Sequence, residues 1–132
     1  MIKSRLEKKI FLKKNKFFFF NNYIKEKKFK RIFQDRLVNS IYYDNNKFQS
    51  FYDSEEGVAP RKKIRLRYYE NSENLFLEKK YTFQTNRAKQ KFPKQQKKIV
   101  SSMYDSFYGI VRPIVKVSYL RSYYAFKNLR VT

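Results

Sequence analysis

Four basic side chains at alternate positions, Arg61, Lys63, Arg65 and Arg67 in the stretch RKKIRLRYY, carry the first chemical signal. On a β-strand successive side chains point to opposite faces, so these four share one face and Ile64, Leu66 and Tyr68 the other. Like charges in one row repel, and a polyanion lying along them would offset that cost. Arginine offers phosphate oxygens a planar fork, and lysine a movable point charge. The alternation recurs in RAKQKF, with Arg87, Lys89 and Lys91. A solvated or RNA-facing basic sheet would show the same pattern. Alternation alone leaves the partner open.

The totals narrow the classes. The chain carries 32 Lys and Arg against 11 Asp and Glu, a formal charge of +21 over 132 residues, far more than solubility needs. Nucleic acid, anionic lipid and polyphosphate are all partners such a charge would attract. Hydrophobic residues at 42%, with 12 Tyr and 14 Phe, suffice for a core, and 2 Gly and 3 Pro argue against low complexity. Without Cys or His, disulfides, thiolate sites, histidine metal sites and histidine or cysteine catalysis are excluded. Any metal would be a hard cation held by oxygen. The FFFF run at 17–20 is too short for a span of about 20 residues. MIKSRLEKK lacks an apolar signal core, so a cytoplasmic protein is expected, meeting membranes only through partners.

The elements that must position these cations follow from periodicity. SRLEKKIFL (4–12) alternates as a strand, and residues 23–36 read as a basic helix, with Phe29, Ile32 and Phe33 at helical spacing and Asn22 as its cap. The FFFF run is expected to pack in the core or a hairpin. Residues 36–44 are β-rich and end in Asp-Asn-Asn, and the acidic 50–60 stretch reads as an exposed loop. Strands are expected at 61–69, 75–83, 87–92 and 112–126, the last with Pro113 near its start, and another begins at LRVT. Between 93 and 109 a loop and a short helix are expected. No composition shift divides the chain, so residues 1–132 are read as one domain. The fold class is α+β, mainly antiparallel β. Charged and apolar faces suit either a flat solvated sheet or a closed barrel with a cationic lumen.

The order of motifs adds more than any one of them. RLEKK, VNSIYYDNNKFQSFY, RKKIRLRYYE, LFLEKKYTF, RAKQKF, RPIVKVSYLRSYYAF and LRVT, taken in sequence, resemble the VTC domain, the polyphosphate polymerase domain of the vacuolar transporter chaperone family within the triphosphate tunnel metalloenzymes. The resemblance implies a tunnel-type β-barrel with short peripheral helices, transferring the γ-phosphate of ATP to a growing inorganic polyphosphate chain. It implies a divalent metal, manganese or magnesium. By matching position, Arg65 and Arg67 would grip phosphates, Lys80 would be the tunnel lysine after Glu78, and Lys9 that of the first strand. Arg121 would join these four cations as a catalytic residue, and Lys63, Lys89, Lys91, Tyr119 and Arg130 would bind phosphate. Phosphoryl transfer runs chiefly on positioning and charge stabilisation, so the lack of histidine is no objection.

Two departures shape the expectation. Hydrolytic relatives open with Glu-x-Glu-x-Lys, whereas Arg5-Leu6-Glu7-Lys8-Lys9 has arginine first, which favours anion binding over metal binding. The family's metal carboxylate lies on strands expected beyond Thr132, so the barrel is expected to be incomplete, with Glu78 the one candidate metal ligand. Two rivals follow: a polyphosphate or nucleotide binder without turnover, and a basic RNA-binding protein stacking bases on its Tyr and Phe. The second lacks the known RNA-binding signatures and leaves the motif order unexplained. Nucleic acid is the less favoured partner.

Overall fold

In a computed structural model the described residues are 7–132 apart from 71, 73, 85 and 97, with the backbone alone described at 86, 91 and 93–96. A 3-10 turn (Lys14–Lys16) leads into helix α1 (Phe17–Glu26), then β1 (Lys30–Asp44), α2 (Gln49–Glu55), β2 (Arg61–Tyr69), β3 (Leu75–Phe83), β4 (Asn86–Gln96), β5 (Met103–Asp105), β6 (Gly109–Phe126) and β7 (Leu129–Val131). The strands pair in the order β4-β3-β2-β1-β6-β5, with β7 also on β6. The β1–β2, β2–β3, β3–β4, β5–β6 and β6–β7 ladders are antiparallel. The class is therefore α+β and mainly antiparallel, with short peripheral helices. Contacts group the chain into two compact units: Asp35–Arg121, and a second running to Gln34 that adds Ser122–Thr132.

In the first unit β1 to β4 form a meander, an open, curled section of barrel wall. Its curl lets Arg67 on β2 reach the Tyr119 hydroxyl on β6 past β1, at 3.3 Å. The two-residue period does what the sequence suggests. Ile64 and Leu66 are fully buried in a cluster with Ile41, Tyr43, Tyr108 and Val111, against which Tyr68, Leu77 and Met103 pack. Each such aliphatic side chain contributes roughly 1.5–3 kcal/mol. The chain after β4 recrosses this apolar face. Tyr43 donates to the Val100 carbonyl at 2.7 Å, and Tyr108 and Val111 fill the cluster.

The acidic stretch is a helix where a loop was expected. Asp44, at the end of β1, accepts the backbone N–H groups of Ser50 at 3.0 Å and Phe51 at 2.9 Å, satisfying donors that open α2. The Ser50 hydroxyl then donates to the Lys62 carbonyl at 2.8 Å, tying α2 to β2. The turn after it passes through Gly57 at φ +71°, a left-handed conformation that glycine adopts without strain. A helix expected within 93–109 is absent among the described residues. β4 runs to Gln96, and β5 ends at Asp105, whose carboxylate accepts the Phe107 N–H at 2.9 Å and shapes a turn.

The second unit corrects three expectations. The helix read at 23–36 ends at Glu26, and β1 begins at Lys30 after Lys28 takes a left-handed φ of +57°. Phe29 and Phe33 suit either periodicity, but Phe29, just ahead of β1, meets Phe126 and Phe33, on β1, meets Tyr123, with ring centroids 5.4 and 5.7 Å apart. Those long-range ring contacts override the helical spacing. FFFF lies in α1, with Phe17, Phe18 and Phe19 exposed and Ile24 the buried anchor; Asn22 is inside that helix, not its cap. Residues 7–13 form no strand, and 4–6 lie outside the described residues. Lys9 is therefore not on a strand.

Candidate anion-binding site

β2 lies between β1 and β3, so Arg65 and Arg67 each have a neighbour on either side. Register then makes rows across the wall. Lys63 stands opposite Lys80, and Lys80 opposite Lys89. Arg65 stands between Tyr42 and Glu78, and Arg67 between Ser40 and Phe76. Like charges directly opposite each other destabilise a sheet, and here three lysines stand abreast. The sheet bears that cost next to the Glu78 carboxylate.

Glu78 organises the face. Its Oε2 accepts Arg65 Nε at 2.8 Å and Nη2 at 2.7 Å, and its Oε1 pairs with Lys89 Nζ at 2.8 Å. Arg65 Nη1 donates to the Tyr42 hydroxyl at 3.2 Å. Glu78 is only 3% exposed. Burial alone would raise its pKa, but the hydrogen bonds from Lys89 and Arg65 overcome that and hold it at about 2. Arg67 is held differently. Its Nε donates to Ser40 Oγ at 3.2 Å and its Nη2 to the Tyr119 hydroxyl at 3.3 Å, while Glu78 is 3.9 Å from Nη1. Tyr119 also accepts Arg121 Nη2 at 2.9 Å, joining Arg67 and Arg121 through one phenol. Arg67 shares Glu78 with Arg65 and Lys89, at the longest of the three distances.

Lys80 reports the resulting field. Desolvation, and then the charges of Arg65, Lys89 and Arg67, push its ammonium down to about 8 against the weaker pull of Glu78. A polyanion would reverse that balance.

Several expected site residues therefore meet: Arg65, Arg67 and Glu78 with Lys89, and Tyr119 with Arg121, while Lys63 and Lys80 join them by register. Lys91 stands opposite Glu78 in the ladder, its side chain outside the described residues. Lys9 and Arg130 belong to the other unit; Arg130 is exposed on β7, and Lys9 is exposed outside any strand. Both oxygens of Glu78 are engaged by cations, and among the described residues no group of three acidic or other metal-ligating side chains occurs. These residues do not form a protein cage for a divalent ion.

Sequence reasoning missed Ser40 and Tyr42, which orient the two arginines from β1. It also missed the opposite face. Lys62, 2% exposed, has the parity of Ile64 and Leu66 and pairs with the fully buried Asp105 at 2.7 Å, with Phe107 4.2 Å and Tyr81 5.0 Å from its ammonium. Lys79 reaches the same carboxylate at 3.2 Å. A lysine at an apolar-face position needs a buried anion. That parity was the available signal.

The family model described as the VTC domain matches residues 4–109. The matched span includes β1 to β5 and ends at the first residue of β6, so Tyr119 and Arg121 are placed by geometry rather than by the match. No curated protein matches the chain significantly. No helix among the described residues is long and apolar enough to cross a membrane.

Proposed function

The chain belongs to the VTC domain family, and from that premise we propose that its cationic wall binds inorganic polyphosphate and the phosphates of ATP, for transfer of the γ-phosphate to the end of the polyphosphate chain. The observation that carries this reading is the Lys63–Lys80–Lys89 row beside Arg67, whose ion pair with Glu78 is long, at 3.9 Å. In the transfer a terminal phosphate oxygen of the chain forms a bond to the γ-phosphorus of ATP. The bond from that phosphorus to the β–γ bridging oxygen breaks, and ADP leaves with its electron pair. The attacking oxygen is already ionised, so no side chain need take a proton. Arg67 and the lysine row would hold the charged oxygens and stabilise charge as it shifts between them. The Arg65–Glu78–Lys89 cluster keeps the wall rigid. The family implies a divalent ion; the described residues form no cage for it, so no step is assigned to it.

Competition between tripolyphosphate and a single-stranded RNA oligomer at near-physiological salt tests the reading. Diffuse surface attraction is already screened there. Tripolyphosphate should win, and Arg67→Ala should weaken it by roughly tenfold or more, the range for a charge-assisted bond to phosphate. Preference for RNA, with Arg67→Ala behaving as wild type, would overturn the reading and favour a basic RNA-binding protein. Tripolyphosphate binding without passage of labelled γ-phosphate from ATP into longer chains would leave a binder and reject the transfer step.

A further inference from the structure

The second compact unit carries an exposed feature that the phosphate site does not use. Ile10, Phe11 and Leu12 stand clear of any strand or helix, with Phe11 90% exposed. They lead through Lys13, Lys14 and Lys16 into α1, where Phe18 is 68% and Phe19 64% exposed. Burial of Ile24, and partial burial of Phe20, uses one face of α1 and leaves these rings outward. Phe19 and Tyr23 are four residues apart and so share a helical stripe. Lysines flank that stripe: Lys16 lies 5.5 Å from the Phe19 ring and Lys27 5.8 Å from the Tyr23 ring. Between residues 7 and 28 there are eight lysines and two glutamates.

We propose that this segment, residues 10–28, docks the chain on the surface of an anionic lipid bilayer. The chemistry is that of an interfacial helix. Exposed phenylalanines and the Ile-Phe-Leu stretch would enter the boundary between headgroups and acyl chains, while long lysine side chains reach lipid phosphates and carboxylates. Each lysine near an anionic surface adds attraction that declines within a screening length. Nucleic acid suits the cations but not Ile10 and Leu12, which have no ring on which a base could stack. A second copy would bring another strongly basic segment against this one. Lipid answers both the charge and the apolar surface. The proposal stands apart from the phosphate-binding reading.

The test compares sedimentation of the full chain with vesicles of phosphatidylcholine alone and of phosphatidylcholine containing phosphatidylserine. Wild type should bind the anionic vesicles selectively. Phe18→Gln/Phe19→Gln keeps the charge and the helix propensity. Removing two inserting rings should weaken vesicle binding by at least roughly tenfold and leave tripolyphosphate binding unchanged. Lys13→Glu/Lys14→Glu should also weaken it, most at low salt. Binding of the phenylalanine variant as tightly as wild type would overturn the proposal, because attraction would then be diffuse charge alone. Absence of binding to anionic vesicles would overturn it equally. So would a change in oligomeric state on replacing the rings without lipid binding, which would assign the surface to a second copy.

Discussion

Glutamine at position 78 is expected to lower stability by roughly 3 kcal/mol at neutral pH, the equivalent of the carboxylate's fall from 4.5 to about 2. The side chain keeps its shape but no longer balances Arg65 and Lys89, which stay beside Arg67 and Lys80. The sign with pH follows. The folded state holds Glu78 ionised more strongly than the unfolded chain does. Its contribution is fully present above pH 4.5 and is lost as pH falls toward 2. Denaturant unfolding across that window should show the wild type losing this increment and Glu78→Gln having none to lose. Parallel acid profiles would show that the carboxylate is not the keystone of the wall.

The second large effect lies on the other face. Asp105→Ala should cost about 3–5 kcal/mol, because it strands Lys62 and Lys79 with no anion in an apolar setting. Burial by itself would raise the Asp105 pKa, yet hydrogen bonds from Lys62, the Phe107 N–H and Lys79 lower it, so the carboxylate is held ionised in the fold. Lys62→Met with Asp105→Leu should recover much of the loss, since a packed apolar pair can replace a buried ionic one. Urea midpoints at constant slope would measure both. A loss within about 1 kcal/mol for Asp105→Ala would mean that water reaches the pair in solution. Lys62 and Asp105 lie among the apolar cluster's residues, so tripolyphosphate affinity of the folded variants should not change.

The wall was largely legible in the sequence because a strand has a rigid period of two. Arg65 and Arg67 against Ile64 and Leu66 left one workable assignment of faces, and the structure keeps it. Lys80, Lys89 and Glu78 were found by motif, and the register then explained why they meet. What escaped depends on distant partners. Phe29, Ile32 and Phe33 fit a helix until Phe126 and Tyr123, more than 80 residues on, are known to face two of them. Residues 50–55 looked like a loop because the donors of α2 are satisfied by Asp44, outside the helix. Lys62 could be read only by asking what a lysine does on an apolar face. Tyr42 and Ser40 are ordinary strand residues until their hydroxyls meet the arginines.

The central claim is that a phosphate chain lies against the Lys63–Lys80–Lys89 row, and proton uptake tests it most directly. In the free protein Lys80 titrates at about 8, so near pH 9 most of it is neutral. A bound polyanion favours the ammonium and should return its pKa toward the ordinary 10.5. Calorimetry of tripolyphosphate binding near pH 9, in buffers of different ionisation enthalpy, should show wild type taking up close to one proton more than Lys80→Gln. The excess should fade below pH 7, where Lys80 is charged before binding. Equal uptake in the two proteins, with tripolyphosphate bound, would place the phosphates away from the row and contradict the account.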